Sequence, residues 1–204
     1  MQVERLIKKY DAFIFELDNV IYPEKDYDLQ VYYLFAQFIE YALQLDAAEV
    51  LTYMKEVYEL EGAEGIFDKT AKRFNLPAEY QVNFSLLEQG AKLPLKLLLF
   101  DAVLQFIKQL INQGKSVYLL TNGEPLKQLN KIKQTEWYGI AQYLTVYFTK
   151  ELSDGIVPDA LNVVMEKHSL NPEKVVFFDA TEVNKKGIKA TGVKLLLISK
   201  LFAL

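Results

Sequence analysis

Residues that could bind a cation or a phosphate group lie at or just after the ends of three predicted strands. They are Glu16 and Asp18, then Thr121, Asn122 and Gly123, and finally Asp179. The carboxyl ends of parallel strands meet at one edge of a sheet, where α/β proteins bind their ligands. Acidic groups gathered there would repel one another unless a proton or a cation intervened. Because Mg2+ prefers oxygen ligands, a small hard cation of this kind would fit among the acidic residues Glu16, Asp18 and Asp179.

The same residues indicate a chemistry. A carboxylate held beside a metal ion can attack a phosphoryl group and form an acyl-phosphate. The Thr121 hydroxyl and the backbone N–H groups of Asn122 and Gly123 can bind phosphate oxygens where a helix begins. Each feature alone has a plainer explanation, since Asp179 could cap a helix and Thr121 could belong to an ordinary strand-to-helix turn.

These residues need a scaffold that brings distant parts of the chain together. Apolar runs predict strands at residues 12–17, 116–120, 143–148, 174–178 and 193–198. Amphipathic helices are predicted between them, and strands that alternate with helices indicate a doubly wound parallel sheet of the α/β class. Residues 29–90 instead show four helical patterns and no strand signal, with Asp46 as a helix cap and Pro77 in a first turn. We therefore expect a helical insertion after the first strand.

The composition excludes several classes of protein. The 204 residues include no cysteine and a single histidine, which excludes disulfides, thiolate metal sites and cysteine nucleophiles. A net charge of -4 gives no electrostatic reason to expect nucleic-acid binding. We find neither a signal peptide nor a stretch of about 20 apolar residues that could span a membrane. The expectation is a cytoplasmic protein.

Four sequence stretches resemble the motifs of the haloacid dehalogenase (HAD) superfamily and occur in that family's order. They are FIFELDNVIYP, YLLTNG, the segment ending IVPDA, and VVFFDATEVN. The match spans nearly the whole chain and implies a HAD/Rossmann-like core at 1–22 and 94–204, with a helical cap of the C1 type at 23–93. The start of the first motif is similar to that of pyrimidine 5'-nucleotidase-like phosphatases.

The resemblance implies a role for each matching residue. Glu16 stands where the family has its aspartate nucleophile and Mg2+ ligand, and Asp18 matches the general acid and base, whose backbone carbonyl also binds the metal. Thr121 matches the hydroxyl that binds phosphate, and Asp179 matches a metal ligand. Three positions depart from the pattern: Glu16 itself, Val157 in place of a lysine, and Asn184 (or Val183) in place of an outer acid.

These departures leave more than one function open. The first is a Mg2+-dependent phosphomonoester phosphatase acting on a small phosphorylated metabolite, with catalysis weakened by Glu16 and Val157. The second is a non-catalytic descendant that binds a phosphorylated ligand, a metal or a partner protein. A third explanation, that Glu16 is a substitution relative to the natural chain, would still leave the missing lysine unexplained. Lys150, a few residues before Val157, is the one nearby candidate to replace it.

Overall fold

Five parallel strands form the central sheet of the protein. The computed structural model describes residues 2–203. The strands of the sheet are β1 (Ala12–Phe15), β3 (Ser116–Thr121), β5 (Leu144–Phe148), β6 (Val175–Asp179) and β7 (Lys194–Leu197). Their order is β5-β3-β1-β6-β7, which confirms the predicted α/β fold with a parallel sheet. The first strand therefore lies at the centre, with β3 and β6 on either side.

Helices cover both faces of this sheet, as the alternation of strands and helices predicts. They are α1 (Gln2–Lys9), α6 (Asp101–Asn112), α7 (Pro125–Gln134), α8 (Thr149–Ser153), α9 (Val157–Lys167) and α10 (Lys185–Ala190). Alternate residues of a strand point to opposite faces. Phe13 and Phe15 of β1 accordingly pack against Phe106 of α6, whereas Ile14 belongs to a separate apolar cluster that contains Leu161 of α9.

The predicted helical insertion follows β1. It comprises α2 (Lys25–Leu43), α3 (Ala47–Glu61), α4 (Ile66–Phe74) and α5 (Tyr80–Gly90). Asp46 caps α3 as expected, because its side chain accepts hydrogen bonds from the backbone N–H groups of Ala48 and Glu49. The rings of Phe35, Phe67 and Phe84 lie 5.0 to 5.9 Å apart in the centre of the insertion. The division of the chain at residues 22/23 and 93/94 into core and cap stays a prediction.

Some elements carry too weak a sequence signal to be predicted. A second parallel sheet consists of only β2 (Leu97–Leu98) and β4 (Thr135–Glu136). Two residues cannot show a periodic pattern, since the repeat of a strand is itself two residues. Short 3-10 helices lie at Ala141–Tyr143, Pro172–Lys174 and Ile198–Lys200. Within residues 2–203, no helix combines the length and the apolar character needed to cross a membrane.

Candidate functional site

The carboxyl end of β1 brings Glu16 beside the end of β3. The backbone N–H of Glu16 continues the sheet by donating to the carbonyl of Phe178 over 2.9 Å, which fixes the backbone at this position. The Oε1 atom of Glu16 then accepts hydrogen bonds from the Thr121 hydroxyl and from the backbone N–H of Asn122, each over 3.3 Å. Residues 105 and 106 positions apart in the chain are therefore in direct contact, as the strand-end argument predicts.

The environment of Glu16 disfavours its ionised form. Burial raises the pKa of this carboxyl well above its usual range, and the negative charges of Asp18 and Asp179 raise it further. Hydrogen bonds from the backbone of Asn122 and Leu17 act in the opposite direction but do not outweigh these effects. Burial also raises the pKa of Asp179. A proton on Glu16 thus relieves part of the repulsion that the sequence leads us to expect among these acids.

Asp18 is held by three donors from two different elements. Its Oδ1 accepts from the hydroxyl of Tyr22 over 2.7 Å, and its Oδ2 accepts from Gln128 Nε2 over 2.9 Å. The ammonium of Lys131 contacts the same Oδ2 at 2.6 Å. Gln128 and Lys131 are three residues apart and therefore lie on one face of α7. Charge-assisted hydrogen bonds of this kind are stronger than neutral ones, so the Asp18 carboxylate has a defined position.

Lys131 is an almost fully buried lysine. Only 1% of its side chain is exposed, and its Nζ also contacts Glu24 Oε1 at 3.1 Å. Burial opposes the charged form of this lysine, but the carboxylates of Asp18 and Glu24 outweigh that effect and raise its pKa. Lys131, Gln128 and Tyr22 are not among the site residues predicted from the sequence. The only available signal was the Gln-x-x-Lys spacing in a helix that follows a candidate site.

The turn after β3 is shaped by Gly123 and Asn122. Gly123 has a φ of 118°, and a Cβ at this position would lie 3.0 Å from Gln128 Nε2, so only glycine fits without strain. Gln128 also donates to the carbonyl of Asn122. The Asn122 side chain accepts a hydrogen bond from the hydroxyl of Thr149, which follows β5. These contacts fix the backbone N–H of Asn122 in its orientation towards Glu16.

Asp179 is the last residue of β6 and lies beside this site. The residues that follow it add no second acidic side chain to the site. Asp179 is buried, and its Oδ1 accepts a hydrogen bond from the backbone N–H of Thr181 over 3.1 Å. Asn184 lies at the start of α10, and Val183 is 84% exposed. Asn184 and Val183 are the two residues that match the position of the outer acid in the fourth HAD-like motif, and neither carries a charge.

Neither Val157 nor the nearby Lys150 supplies a cation to Glu16. Val157 is buried in the apolar cluster between the sheet and α9. The exposed Lys150 forms an ion pair with Glu124.

The single histidine, His168, lies at the far end of α9, where its Nε2 is 2.7 Å from the hydroxyl of Tyr147. Since α9 has 11 residues, the distance from Val157 to its other end is roughly 16 Å.

The described residues fit a Mg2+ ion poorly as they stand. Across residues 2–203, no three Asp, Glu or His side chains come together in a group that could hold a metal ion. Both carboxylate oxygens of Asp18 already accept from Tyr22, Gln128 or Lys131, and Glu16 Oε1 is directed to Thr121. The Mg2+ ligands named from the sequence therefore stay a prediction.

The helical insertion is joined to α7 next to the site. Lys127 Nζ lies 3.4 Å from Asp28 Oδ1 of α2 and 2.9 Å from Glu88 Oε1 of α5. Asn130 donates to the carbonyl of Ala91 over 2.9 Å and to the hydroxyl of Tyr27 over 3.0 Å. One helix of the α/β part thus holds Asp18 with one set of side chains and the insertion with another.

Comparison with known proteins gives a match in structure without a match in sequence. No protein-family model matches the chain, and no curated protein matches its sequence. Solved structures do match. A hydrolase from Streptococcus pneumoniae aligns with a TM-score of 0.55 at 16% identity, over 96% of this chain and 100% of that one.

Two further structures extend this likeness. YfnB of Bacillus subtilis, described as a HAD-hydrolase and bound to magnesium, aligns with a TM-score of 0.64 at 15% identity, over 93% of this chain and 86% of that one. The L-2-haloacid dehalogenase of Xanthobacter autotrophicus, with chloropropionic acid covalently bound, gives 0.53 at 13% identity, over 91% and 76% of the two chains. At such identities the shared property is the fold, which is that of HAD-type hydrolases and dehalogenases.

Proposed function

We propose that the protein is a member of the HAD superfamily with a phosphomonoester phosphatase-type site for a small phosphorylated metabolite, and that its turnover is weak or lost. The observation that carries the proposal is the contact of Glu16 Oε1 with both the Thr121 hydroxyl and the Asn122 N–H. A carboxylate, a hydroxyl and a backbone donor at the end of a central parallel strand are the parts that a phosphoryl-transfer site needs.

The same contact supports weak catalysis. The nucleophile in such a reaction has to be ionised and in line with the bond that breaks, but burial raises the pKa of Glu16 well above its usual range. Its additional methylene also displaces the carboxylate from the place an aspartate would occupy, and a misplacement of about 1 Å can cost on the order of 100-fold in rate. With Val157 buried in the core, no lysine at that position balances the charge that develops on the phosphoryl group.

The finer assignments belong to the same proposal. The helices at Lys25–Gly90 would be a cap of the C1 type that covers the site and selects the substrate. The sequence NVIYP, after Asp18, supports the pyrimidine 5'-nucleotidase-like subgroup and a nucleoside monophosphate or similar metabolite as substrate. If Mg2+ binds, Glu16, Asp179 and the backbone carbonyl of Asp18 are the groups that would hold it, and it would neutralise phosphate charge.

Steady-state hydrolysis of an aryl phosphate, with and without Mg2+, tests this function. We expect turnover far below the enzymatic median of about 10 per second. Any residual activity should disappear in Thr121→Val, which removes the hydroxyl at the end of β3 and shows that the activity comes from this site. Turnover near the median in the unchanged protein would contradict the proposed weakening.

The structure also favours a second candidate, a non-catalytic binding protein. Asp18, the expected general acid and base, is held by Lys131, Gln128 and Tyr22, which leaves it poorly placed to exchange protons with a substrate. Thermal unfolding with a panel of nucleoside monophosphates would separate the two candidates. A saturable rise in Tm without detectable hydrolysis would support binding alone, because a ligand of the folded state stabilises it by mass action.

A further inference from the structure

Two donors at the end of β3 converge on one oxygen atom. The Thr121 hydroxyl and the Asn122 N–H each lie 3.3 Å from Glu16 Oε1. We call this pair of donors the oxyanion cradle. Donors from a strand end and the following turn that point at one oxygen are the arrangement that binds the oxygen of a phosphate. In this protein the cradle already has an acceptor.

The length of the Glu16 side chain explains how its carboxyl reaches the cradle. The backbone of Glu16 is fixed by the hydrogen bond to Phe178, so the reach depends on the side chain alone. Glutamate has one methylene more than aspartate, which places its carboxyl roughly 1.5 Å, about one carbon–carbon bond, further from the backbone. An aspartate in the same position would end short of this contact and leave room for an external oxygen.

The surroundings of Glu16 favour the cradle over other directions. Asp18 and Asp179 both act on Glu16 through their negative charge, so an ionised Glu16 turned towards either would be repelled. Thr121 is fully buried, and a buried hydroxyl without an acceptor would be costly. Glu16 Oε1 therefore serves as the acceptor for both donors of the oxyanion cradle.

We infer that Glu16 is an internal ligand of the oxyanion cradle and excludes phosphate from it, so that removal of this side chain opens a binding site for a tetrahedral oxyanion. The inference rests on the proposed phosphatase-type site and specifies why that site is weak. The contact between Glu16 and the oxyanion cradle is autoinhibitory, because it prevents phosphate from binding at all. The block therefore precedes the nucleophilic attack.

Titration with inorganic phosphate and with orthovanadate tests the inference. Isothermal titration calorimetry, run with and without Mg2+ in the buffer, should show no saturable binding of either anion to the unchanged protein. Glu16→Ala should bind either anion at least about tenfold more tightly, which corresponds to about 1.4 kcal/mol. Glu16→Gln keeps the size of the side chain and its acceptor oxygen, so it should still exclude both anions from the oxyanion cradle. Glu151→Ala removes an exposed carboxylate and serves as the control, with no expected change.

Three results would overturn the inference. One is saturable phosphate binding by the unchanged protein, which can be measured whether or not the variant folds. Another is equal binding by Glu16→Gln and Glu16→Ala, because charge rather than occupancy would then be the barrier. The third is the absence of binding by both Glu16→Ala and Glu16→Ser when each folds. Loss of the new binding in Glu16→Ala combined with Thr121→Val would place the anion in the cradle, and unchanged binding there would count against it.

These outcomes are separate from a failure of the proposed function. Ordinary turnover by the unchanged protein would refute the weakened phosphatase. In contrast, activity restored by Glu16→Asp with no phosphate binding by Glu16→Ala would preserve the phosphatase-type site and refute only the internal ligand.

Discussion

Lys131 Nζ lies 2.6 Å from Asp18 Oδ2, although 113 positions separate the two residues in the chain. The same ammonium contacts Glu24 at 3.1 Å, in the segment that leads into α2. The lysine thus sits between two carboxylates, one at the candidate site and one at the start of the insertion. Removal of one partner from a buried ion pair leaves the other charge uncompensated, which costs more than the pair itself contributes.

Lys131→Met should therefore destabilise the protein strongly. We expect a loss of about 3 to 5 kcal/mol in the free energy of unfolding, because Asp18, whose side chain is only 12% exposed, would lose its cation. Urea denaturation followed by circular dichroism measures this change. Lys150→Met is the matched control: its ion pair with Glu124 is exposed, and exposed pairs contribute at most about 1 kcal/mol. Equal losses in the two variants would show that Lys131 is not a buried structural cation.

Under the proposed function, a double change should raise phosphatase activity. Glu16→Asp shortens the side chain at the proposed nucleophile position, and Val157→Lys supplies a cation at the first turn of α9. We expect kcat/KM for an aryl phosphate to rise roughly 10- to 100-fold over the unchanged protein, since each change removes one catalytic defect. The single variants and Thr121→Val in the double variant are the controls. No gain in a folded double variant would mean that the site has been remodelled beyond these two positions.

The stability difference between Glu16→Gln and the unchanged protein should depend on pH. The folded-state pKa of Glu16 lies well above 4.5, so above that pH the folded chain holds one proton more than the unfolded chain. Stability from this group therefore falls as the pH rises, whereas glutamine has no such dependence. The free energy of unfolding of Glu16→Gln should therefore rise relative to that of the unchanged protein by up to about 1.4 kcal/mol per pH unit.

This gain should stop once the pH exceeds the folded-state pKa of Glu16. Urea denaturation at a series of pH values from mildly acidic to neutral follows it, and Glu151→Gln at an exposed position should show a flat difference. A flat difference for Glu16→Gln would mean that its carboxyl is not desolvated in the folded chain.

Lys127→Met should shift the titration of Asp28. Burial raises the pKa of Asp28 to about 6, and the ammonium of Lys127 is the strongest influence in the opposite direction. Loss of that ammonium should raise the pKa of Asp28 further, which carboxyl 13C NMR can follow. Because the folded-state value already exceeds the ordinary 3.8, the contribution of Asp28 to stability should fall as the pH rises from about 4 to 6. Lys92→Met, at an exposed lysine, should leave the titration unchanged.

Gly187→Ala should separate α10 from α9. A Cβ at position 187 would lie 2.5 Å from Pro158 Cγ, and the rigid proline ring cannot move aside without its helix. We expect a loss of about 1 to 3 kcal/mol in the free energy of unfolding from this overpacking. Gly90→Ala is the control, because a Cβ there meets no atom within 4 Å and alanine favours the helix by up to about 1 kcal/mol. A neutral Gly187→Ala would show that the two helices pack more loosely.

The order of elements could be predicted from the sequence because it depends on local patterns. Phe13 and Phe15 face one side of β1 and Ile14 the other, and this alternation is visible in the residues themselves. The end of β1 at Phe15, one residue before Glu16, was also predictable to within two residues. Asp46 predicts the start of α3 because aspartate is a preferred residue at a helix N-cap. By contrast, β2 and β4 are too short to produce a pattern.

The sequence was enough to predict that Glu16 and Thr121 lie at the same edge of the sheet, since the carboxyl ends of parallel strands meet there. Their adjacency and their contacts follow from the strand order and the packing of the folded chain. The direction of the Glu16 carboxyl towards the oxyanion cradle and the capture of Asp18 by Lys131 both depend on distances between residues more than 100 positions apart. Such distances follow from how helices pack on the sheet, because the periodicity of a helix fixes which of its residues share a face but not which distant group that face will meet.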